Sequence, residues 1–193
     1  DKNYISAEGK NVIVIGGGDT GTDCVATSLR HGCESLVQFE IMGEPSKNRS
    51  ANNPWPEWPK VLKVDYGQKE FIELFGRDPR EYLTTVTKVN ADKDGNVESV
   101  DTVKVEWKKD ENGRFAPIPV EGSEKNYKAD LILLAMGFTG SEDYLKNAFA
   151  VESDARSNVQ TKEGSYKTNV PKIFTTGDAR SGQSLVVRAI ADG

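Results

Sequence analysis

Three glycines spaced as G-x-G-x-x-G lie near the start of the chain, at Gly16, Gly18 and Gly21. They follow a β-branched apolar run at 11–15 and precede a helical pattern, which predicts a strand, a tight turn and a helix N-terminus. The first glycine permits the bend, the second lets phosphate oxygens approach the backbone, and the third lets helix and strand pack closely. Unpaired N–H groups at a helix start favour an anion. The spacing predicts a binding site for the pyrophosphate of a dinucleotide, with a purely structural turn as the alternative.

The residues predicted to line this site are the whole turn and the start of the helix. A carboxylate further along bears on which nicotinamide nucleotide binds, because Glu40 lies 19 residues after Gly21, at the end of a strand predicted over 36–41. A carboxylate there hydrogen-bonds the ribose 2′-hydroxyl and repels a 2′-phosphate, which favours NADH. Lys47 and Arg49 follow closely, and an arginine can bind that phosphate, so NADPH stays open. The turn residues are Gly16, Gly17, Gly18, Asp19, Thr20 and Gly21.

Two strand patterns are expected to position this site. Alternating apolar and β-branched residues between 82 and 107, interrupted by polar turns, predict an antiparallel β-meander. The apolar run 129–138 predicts a strand buried on both faces at the centre of a parallel sheet. Ligands bind beyond the carboxyl ends of such strands, so Ala135, Met136 and Gly137 are expected near the cofactor. The sequence thus predicts an α/β fold, a Rossmann-like parallel sheet with an inserted antiparallel meander.

Composition excludes several classes of protein. With 193 residues, 28% of them charged, and a net charge of -5, the chain can form one good hydrophobic core. It has no basic stripe for nucleic acid and no apolar run near the roughly 20 residues that span a bilayer. Cys24 and Cys33 fit no redox, zinc or iron–sulfur spacing, so we expect no metal site but two buried, reduced thiols, which favour a cytoplasmic location. A chain without an initiator Met that stops within a helical pattern is interpreted as part of a longer protein.

The segment 42–64 is a long irregular loop with four prolines and two tryptophans, Trp55 and Trp58. Its Pro-Trp-Pro-Glu-Trp-Pro core cannot form a helix. A loop of this length is usually functional or docked on a partner. Tryptophans bury large areas wherever they lie, so we favour the alternative in which both indoles cover the core of the loop itself.

The last part of the chain carries a second candidate site. The run 172–178 predicts a short strand that ends in Gly177 and Asp178, and the pattern behind it predicts a helix starting at Gln183 and Ser184. The aspartate can accept hydrogen bonds from sugar-like hydroxyls, and the helix start can face electron-rich ring carbonyls. A plain turn or helix cap is the alternative.

These motifs together resemble one family, the small (beta) subunit of glutamate synthase. The resemblance covers almost the whole chain and is carried by five stretches. The loop Asn53-Pro54-Trp55-Pro56-Glu57-Trp58-Pro59 makes it specific to that family rather than to flavin disulfide reductases in general. The other four stretches are 16–24, 28–33, 134–138 and 177–187.

The resemblance implies a flavoprotein of glutamate biosynthesis and ammonia assimilation, with its NAD(P)H domain inserted into its FAD domain. NAD(P)H would reduce FAD, and iron–sulfur clusters would carry electrons to a large subunit that makes glutamate from glutamine and 2-oxoglutarate. Residues 1–138 would be the NAD(P)H-binding domain and 139–193 the C-terminal piece of the FAD-binding domain. The family's cluster-binding cysteines and first FAD glycine motif are absent from this chain, so we expect it neither to retain FAD nor to run the whole reaction alone.

No catalytic side chain is predicted, because hydride transfer between nicotinamide and flavin takes its reactive atoms from the cofactors. The only histidine, His31, falls in the last turn of the first predicted helix, where a structural role is favoured. Two other functions stay open. One is a regulatory or subunit-docking module that binds a nucleotide, and the other is a related flavoprotein reductase with another electron acceptor.

Overall fold

The computed structural model describes residues 4–109, 111, 113–162 and 164–193. The chain divides into two compact units, Asp1–Met136 and Gly137–Gly193, here called the first and second unit. The elements of the first unit are strands β1 (Asn11–Ile15), β2 (Ser35–Glu40), β3 (Arg80–Tyr82), β4 (Thr84–Ala91), β5 (Val97–Lys109), β6 (Phe115–Pro119), β7 (Lys125–Lys128) and β8 (Leu131–Leu134), with helices α1 (Asp19–Arg30) and α2 (Tyr66–Phe75).

A parallel sheet of order β3-β2-β1-β8 forms the centre of the first unit. Strands β1, β2 and β8 supply its apolar and β-branched residues, which suit a pleated surface covered on both sides. On one face Val14 packs with Val25 of α1 and Phe71 of α2, all fully buried. On the other face Phe39 packs with Val100 of β5. The helices therefore cover one face, and the antiparallel strands cover the other.

The antiparallel sheet has the order β4-β5-β6, and β7 also pairs with β5. It is fastened to the segment that follows β2 by two hydrogen bonds. The indole Nε1 of Trp107 donates to the carbonyl of Ile41 at 3.0 Å, and the amide of Leu83 donates to the carbonyl of Met42 at 3.1 Å. The predicted α/β class, with a parallel sheet and an inserted antiparallel meander, is confirmed.

The two edge strands of the parallel sheet differ from the prediction. The run predicted to lie at the sheet centre forms the edge strand β8, and Leu134 is 68% exposed. The charged residues of β3 were not predicted as a strand, yet they pair in parallel with β2 at the other edge. An apolar run indicates a strand, but its place in the sheet depends on which distant strand it pairs with.

Short helices α1 and α2 are bounded by local signals. The left-handed Gly32 and Gly76, with φ of 78° and 70°, follow the ends of α1 and α2. Asp65 precedes the first residue of α2 and caps it, because its carboxylate accepts a hydrogen bond from the amide of Tyr66 at 2.7 Å.

None of the helices in the described residues combines the length and the apolar composition needed to span a membrane.

The second unit contains helices α3 (Asp143–Phe149), α4 (Asp178–Ser181) and α5 (Val186–Asp192). The strand predicted over 172–178 is wrong, because Phe174 forms only an isolated bridge with Lys167. The helix start predicted at Gln183 and Ser184 is also wrong, since α5 begins two residues later. A strand needs a partner backbone for its hydrogen bonds, and the described part of this unit supplies no ladder beyond isolated bridges.

Candidate functional site

The glycine turn joins β1 to α1, and two of its glycines are required by close backbone approach. Gly16 has a φ of 124°, and a Cβ there would overlap the carbonyl of Ala135. A Cβ at Gly21 would overlap the carbonyl of Gly16. At Gly18, by contrast, a Cβ would meet no atom within 4 Å. The turn is therefore tightly packed on its inner side and open on its outer side.

The backbone N–H groups of this turn are unpaired. In the described part of the chain, no group accepts a hydrogen bond from the amides of residues 17–21. The first paired amide is that of Thr22, which donates to the carbonyl of Gly18 at 3.1 Å. Gly18, the N-cap of the 12-residue helix α1, has no side chain to cap it, and Asp19 and Thr20 are exposed. Unpaired donors at a helix start form an anion-binding site.

Two hollows flank the turn and share Gly17 and Glu40. The β2 hollow lies beside α2 and the end of β2, and the β8 hollow lies beside the end of β8. The β2 hollow is also lined by Gly18, Asp19, Thr22, Met42, Lys63, Asp65, Gln68, Arg80 and Tyr82. The β8 hollow is also lined by Gly16, Thr84, Thr85, Ala135 and Met136.

Glu40 lies at the end of β2, where its Oε1 accepts the amide of Met42 at 2.9 Å. A Cβ at Gly17 would overlap the Glu40 carboxylate. Gly17 is not one of the three spaced glycines of the motif, but a side chain there would have to displace the Glu40 carboxylate. The carboxylate is thus held over the turn, between the two hollows.

Arg49 does not line either hollow. Its Nη1 donates to the carbonyls of Asn53 at 3.1 Å and Glu57 at 2.8 Å, so it organises the tryptophan loop. Lys47 is also outside the linings of both hollows. The structure therefore brings Glu40 to the glycine turn without Arg49, whose role in binding a 2′-phosphate stays a prediction.

The guanidinium of Arg80 lines the β2 hollow, but no sequence pattern had predicted this residue at the site. Asp78 holds it with two hydrogen bonds, Nε to Oδ1 at 2.9 Å and Nη2 to Oδ2 at 2.7 Å, and its Nη1 donates to the carbonyl of Lys63. Burial acts to raise the pKa of the Asp78 carboxyl, but the hydrogen bonds and charge of Arg80 outweigh it and hold that pKa below its usual value. Three of the five N–H donors of the Arg80 guanidinium are therefore paired within the protein.

The hydroxyl of Tyr82 is buried in the wall of the β2 hollow. This oxygen has no hydrogen-bond partner, and it is the only such buried polar atom among the described side chains. Burial raises the pKa of this phenol. A buried donor without a partner is costly unless a bound group or water pairs with it.

Of the residues predicted at the end of β8, Ala135 and Met136 line the β8 hollow. The amide of Ala135 donates to the carbonyl of Ile15 at 2.8 Å, which fixes the chain beside the turn. Gly137 begins the second unit and has a φ of 92°.

The candidate site in the second unit has a different local structure. Gly177 has a φ of 59°, and its amide donates to Asp192 at 2.7 Å. Asp178 begins α4, and among the described residues its carboxylate has no partner. The side chain of Gln183 donates to the carbonyl of Phe138 at 3.5 Å, and Ser184 is exposed.

His31 and the two cysteines have structural surroundings. His31 caps the end of α1, its Nδ1 accepts the amide of Ala7 at 3.3 Å, and its Nε2 lies 2.8 Å from the hydroxyl of Tyr4. Cys24 and Cys33 are free thiols, but both are partly exposed, so the expectation that they are buried is wrong. Burial raises the pKa of each thiol, and Asp23 adds to this at Cys24.

The tryptophan loop is organised by an asparagine. Trp55 is 83% exposed and Trp58 is 74% exposed, so the expectation that both indoles are buried is wrong. Asn53 is buried instead, and its side chain donates to Glu57 at 3.0 Å and accepts the amide of Lys60 at 2.8 Å. An amide that donates and accepts at once can replace an apolar centre in so short a loop.

Comparison with known proteins places these features in a family. The chain is 48% identical over 193 residues to glutamate synthase [NADH] of Schizosaccharomyces pombe, covering 100% of this chain and 9% of that protein. It is 44% identical over 193 residues to the glutamate synthase [NADPH] small chain of Bacillus subtilis, covering 100% of this chain and 39% of that protein. The chain therefore spans well under half the length of these curated relatives. The identities confirm the predicted resemblance to glutamate synthase.

A solved structure shares the fold. FprA, a Mycobacterium tuberculosis oxidoreductase, matches 97% of this chain and 51% of its own with a TM-score of 0.65 and 15% identity. The family described as pyridine nucleotide-disulphide oxidoreductase matches residues 1–193. Since that match runs through both units, the chain belongs to the pyridine nucleotide-disulphide oxidoreductase family.

Proposed function

We propose that this chain is the NAD(P)H-binding part of a glutamate synthase small subunit, which delivers hydride from NAD(P)H to FAD. The observation that carries the proposal is the row of unpaired amides at residues 17–21, on the open side of the glycine turn. A nicotinamide dinucleotide offers the doubly charged diphosphate that such a row of donors stabilises. The high identity to glutamate synthases supports the choice of enzyme.

In this proposal the turn separates the two halves of the nucleotide. The diphosphate accepts hydrogen bonds from amides of the turn, the adenosine half enters the β2 hollow, and the nicotinamide half enters the β8 hollow. Residues 1–138 form the nucleotide domain, with Ala135 and Met136 beside the nicotinamide half. The orphaned hydroxyl of Tyr82 supports a polar ligand on the adenosine side.

The charges around the β2 hollow support NADH as the preferred nucleotide. Glu40 presents a carboxylate that can accept a hydrogen bond from the ribose 2′-hydroxyl and would repel a 2′-phosphate. Arg80 could bind that phosphate, but Asp78 already holds its guanidinium. Relatives named for NADH and for NADPH are both similar to the chain, so the preference rests on these side chains.

FAD would supply the acceptor for the hydride and pass electrons on singly through iron–sulfur clusters. This chain contributes position rather than a proton-transfer group, because hydride transfer between nicotinamide and flavin takes its reactive atoms from the cofactors. Residues 139–193 would belong to the flavin domain, with Gly177, Asp178, Gln183 and Ser184 near the flavin. We propose the glutamate synthase large subunit as the partner and the cytoplasm as the location.

Titration calorimetry with NADH and NADPH side by side tests the nucleotide step. The protein should bind NADH, and the Glu40→Ala variant should show a smaller advantage of NADH over NADPH. Equal affinities for both nucleotides before and after the substitution would refute the role of Glu40.

The reaction itself is tested on the complete subunit. Adding NAD(P)H should bleach the flavin spectrum, and NAD(P)H oxidation with the large subunit should depend on glutamine and 2-oxoglutarate. Bleaching without that dependence would instead indicate a related flavoprotein reductase with another acceptor.

A second candidate is a subunit-docking module that binds a nucleotide without passing electrons. The exposure of Trp55 and Trp58 favours it, because exposed indoles on an ordered loop are suited to a protein interface. In that case nucleotide would bind, but the flavin of the complete subunit would stay oxidised.

A further inference from the structure

A chain of buried hydrogen bonds connects both helices and β2 to the glycine turn. The hydroxyl of Thr22 donates to Oε1 of Gln68 at 2.6 Å, and Nε2 of Gln68 donates to Oε1 of Gln38 at 2.9 Å. Nε2 of Gln38 then donates to the carbonyl of Gly16 at 2.8 Å. The three side chains, here called the amide relay, are 5%, 3% and 0% exposed in that order.

The direction of every bond in the amide relay is set by its last member. The carbonyl of Gly16 can only accept, so Gln38 must present its NH₂ group there. Its oxygen must then accept from Gln68, whose own oxygen accepts from the hydroxyl of Thr22. Each amide is thereby held in one orientation, with its buried polar atoms paired along the chain of bonds.

Polar side chains at this depth are unusual, which points to a role beyond packing. Gln38 lies in the central region of the parallel sheet, where apolar residues dominate. Burying an amide has a cost that hydrogen bonds offset only in part. A valine or leucine at this position would pack without that cost, but it could not reach the Gly16 carbonyl with a donor.

The bond to Gly16 also determines where the next amide points. The peptide between Gly16 and Gly17 is trans, so its C=O and N–H point in opposite directions. Gln38 draws the carbonyl toward the interior, and the N–H of Gly17 therefore faces away from Gln38. That N–H has no acceptor among the described residues, and Gly17 lines both hollows.

We infer that Gln38 is a positioning residue that holds the Gly16–Gly17 peptide so that the Gly17 N–H faces the bound diphosphate. Gln68 and Thr22 act through Gln38 by fixing its amide. The inference rests on the proposed function, since it assigns a role in binding the diphosphate of a nicotinamide nucleotide.

Helix α2 has a part in this positioning because it packs very closely on α1. A Cβ at Gly67 would overlap the carbonyl of Thr22, so the first turn of α2 can approach α1 only with glycine here. That approach brings Gln68 within reach of both Thr22 and Gln38. The loss of nucleotide affinity should therefore be largest when Gln38 is replaced, smaller when Gln68 is replaced and smallest when Thr22 is replaced.

The test compares ligands with and without a diphosphate. The Gln38→Met variant keeps a side chain of similar length but loses the donor to Gly16. Calorimetric titration should show NADH and ADP binding about tenfold more weakly, the effect of one lost hydrogen bond. Binding of adenosine, measured by competition, should not change. An unchanged affinity for NADH and ADP would overturn the inference.

A double variant separates positioning from stability. Gln38→Met alone leaves a buried amide of Gln68 unpaired, which lowers stability by itself. Gln38→Met/Gln68→Met removes that amide and should recover part of the lost thermal stability, while NADH and ADP still bind about tenfold more weakly. Recovery of affinity together with stability would show that the relay serves packing alone and would overturn the inference.

A buried hydroxyl remote from the turn provides the matched control. Thr102 is 2% exposed and donates to the carbonyl of Lys125 in the antiparallel sheet. Thr102→Val should lose stability without any change in nucleotide affinity. If the unaltered protein binds no NADH, the proposed function fails; if it binds NADH and Gln38→Met binds it equally well, only the positioning role fails.

Discussion

The glycine turn of the first unit and the Gly177 region of the second unit share similar sequence signals. They differ in the buried structure that supports the glycine. Both have a glycine with a positive φ, at Gly16 and at Gly177, next to the start of a helix. Behind Gly16 are a buried sheet, a 12-residue helix and the amide relay. Helix α4, next to Gly177, has 4 residues and no buried residue.

The difference also appears in the apolar residues of the two regions. Val14 and Val25, beside the glycine turn, are 0% exposed. In α5, near Gly177, Val187 is 67% exposed and Ile190 is 73% exposed. We therefore propose that the glycine turn of the first unit is the binding site because packing holds its backbone, with paired groups behind the turn and unpaired donors in front.

The largest effect should follow from closing the space that the turn requires. Gly21→Ala puts a methyl group onto the carbonyl of Gly16 and the amide of Gln38. We expect a loss of about 1–3 kcal/mol of stability by overpacking and no measurable NADH binding. Gly177→Ala, the matched change in the second unit, should leave NADH affinity unchanged. Thermal unfolding and calorimetry on both variants check this, and equal losses of affinity would break the comparison.

A smaller effect, on nucleotide choice, should follow from moving the Glu40 carboxylate. Gly17→Ala would displace it from the turn, and Glu40→Ala removes it. Both variants should reduce the ratio of NADH to NADPH affinity by about tenfold, the value of a hydrogen bond to a charged group. Ser184→Ala in the second unit should leave the ratio unchanged. A Gly17→Ala variant with the original ratio would contradict the position assigned to Glu40.

A pH effect should distinguish partly buried from exposed carboxyl groups. The pKa of Asp78 is lowered by Arg80 in spite of burial, and the pKa of Asp143 is lowered by its hydrogen bond to Lys146 at the surface. A lowered folded pKa means that the stabilisation is present above the unfolded value, about 4, and is lost as the pH falls through the folded value.

Asp78→Asn should therefore lose less stability than the unaltered protein when the pH is lowered from about 5 to about 3. Asp143→Asn should differ less from the unaltered protein over the same range, because solvent screens its ion pair. Thermal unfolding at the two pH values measures both. An acid response of Asp78→Asn identical to that of the unaltered protein would contradict the assignment.

The smallest effect is expected at the exposed apolar face of α5. Val187→Ser should change stability by less than about 0.5 kcal/mol, because the side chain is already in contact with solvent. Val25→Ser, at a buried position in α1, should lower it by several times as much. Chemical unfolding compares the two, and a similar loss at both positions would show that Val187 is covered.

Local sequence patterns predicted the elements whose structure depends mainly on neighbouring residues. Glycine spacing placed the turn at 16–21, the 3.6-residue period placed α1, and alternation placed the antiparallel strands. The edge position of β8 and the pairing of β3 depend on contacts with distant strands, which a single segment does not encode. The exposure of Trp55 and Trp58 was not predicted for a different reason: the buried side chain of Asn53, rather than an indole, forms the centre of their loop.

The candidate site could likewise be predicted only in part. Glu40 and the turn residues followed from a spacing rule, and the structure brings them together at the two hollows. Gln68 lies 30 residues from Gln38 and 46 from Thr22, so the amide relay has no signature along the sequence. Glutamines are expected on the surface of a protein, so their burial and their hydrogen bonds to each other and to Gly16 appear only in the structure.

The most direct test of the account follows the backbone amides of residues 17–21 by ¹⁵N–¹H NMR while NADH is added. The account predicts that these resonances shift in proportion to bound NADH, with Gly17 among them, and that the Gln38→Met variant needs more NADH to reach the same shift. NADH binding that leaves the resonances of residues 17–21 in place would contradict it.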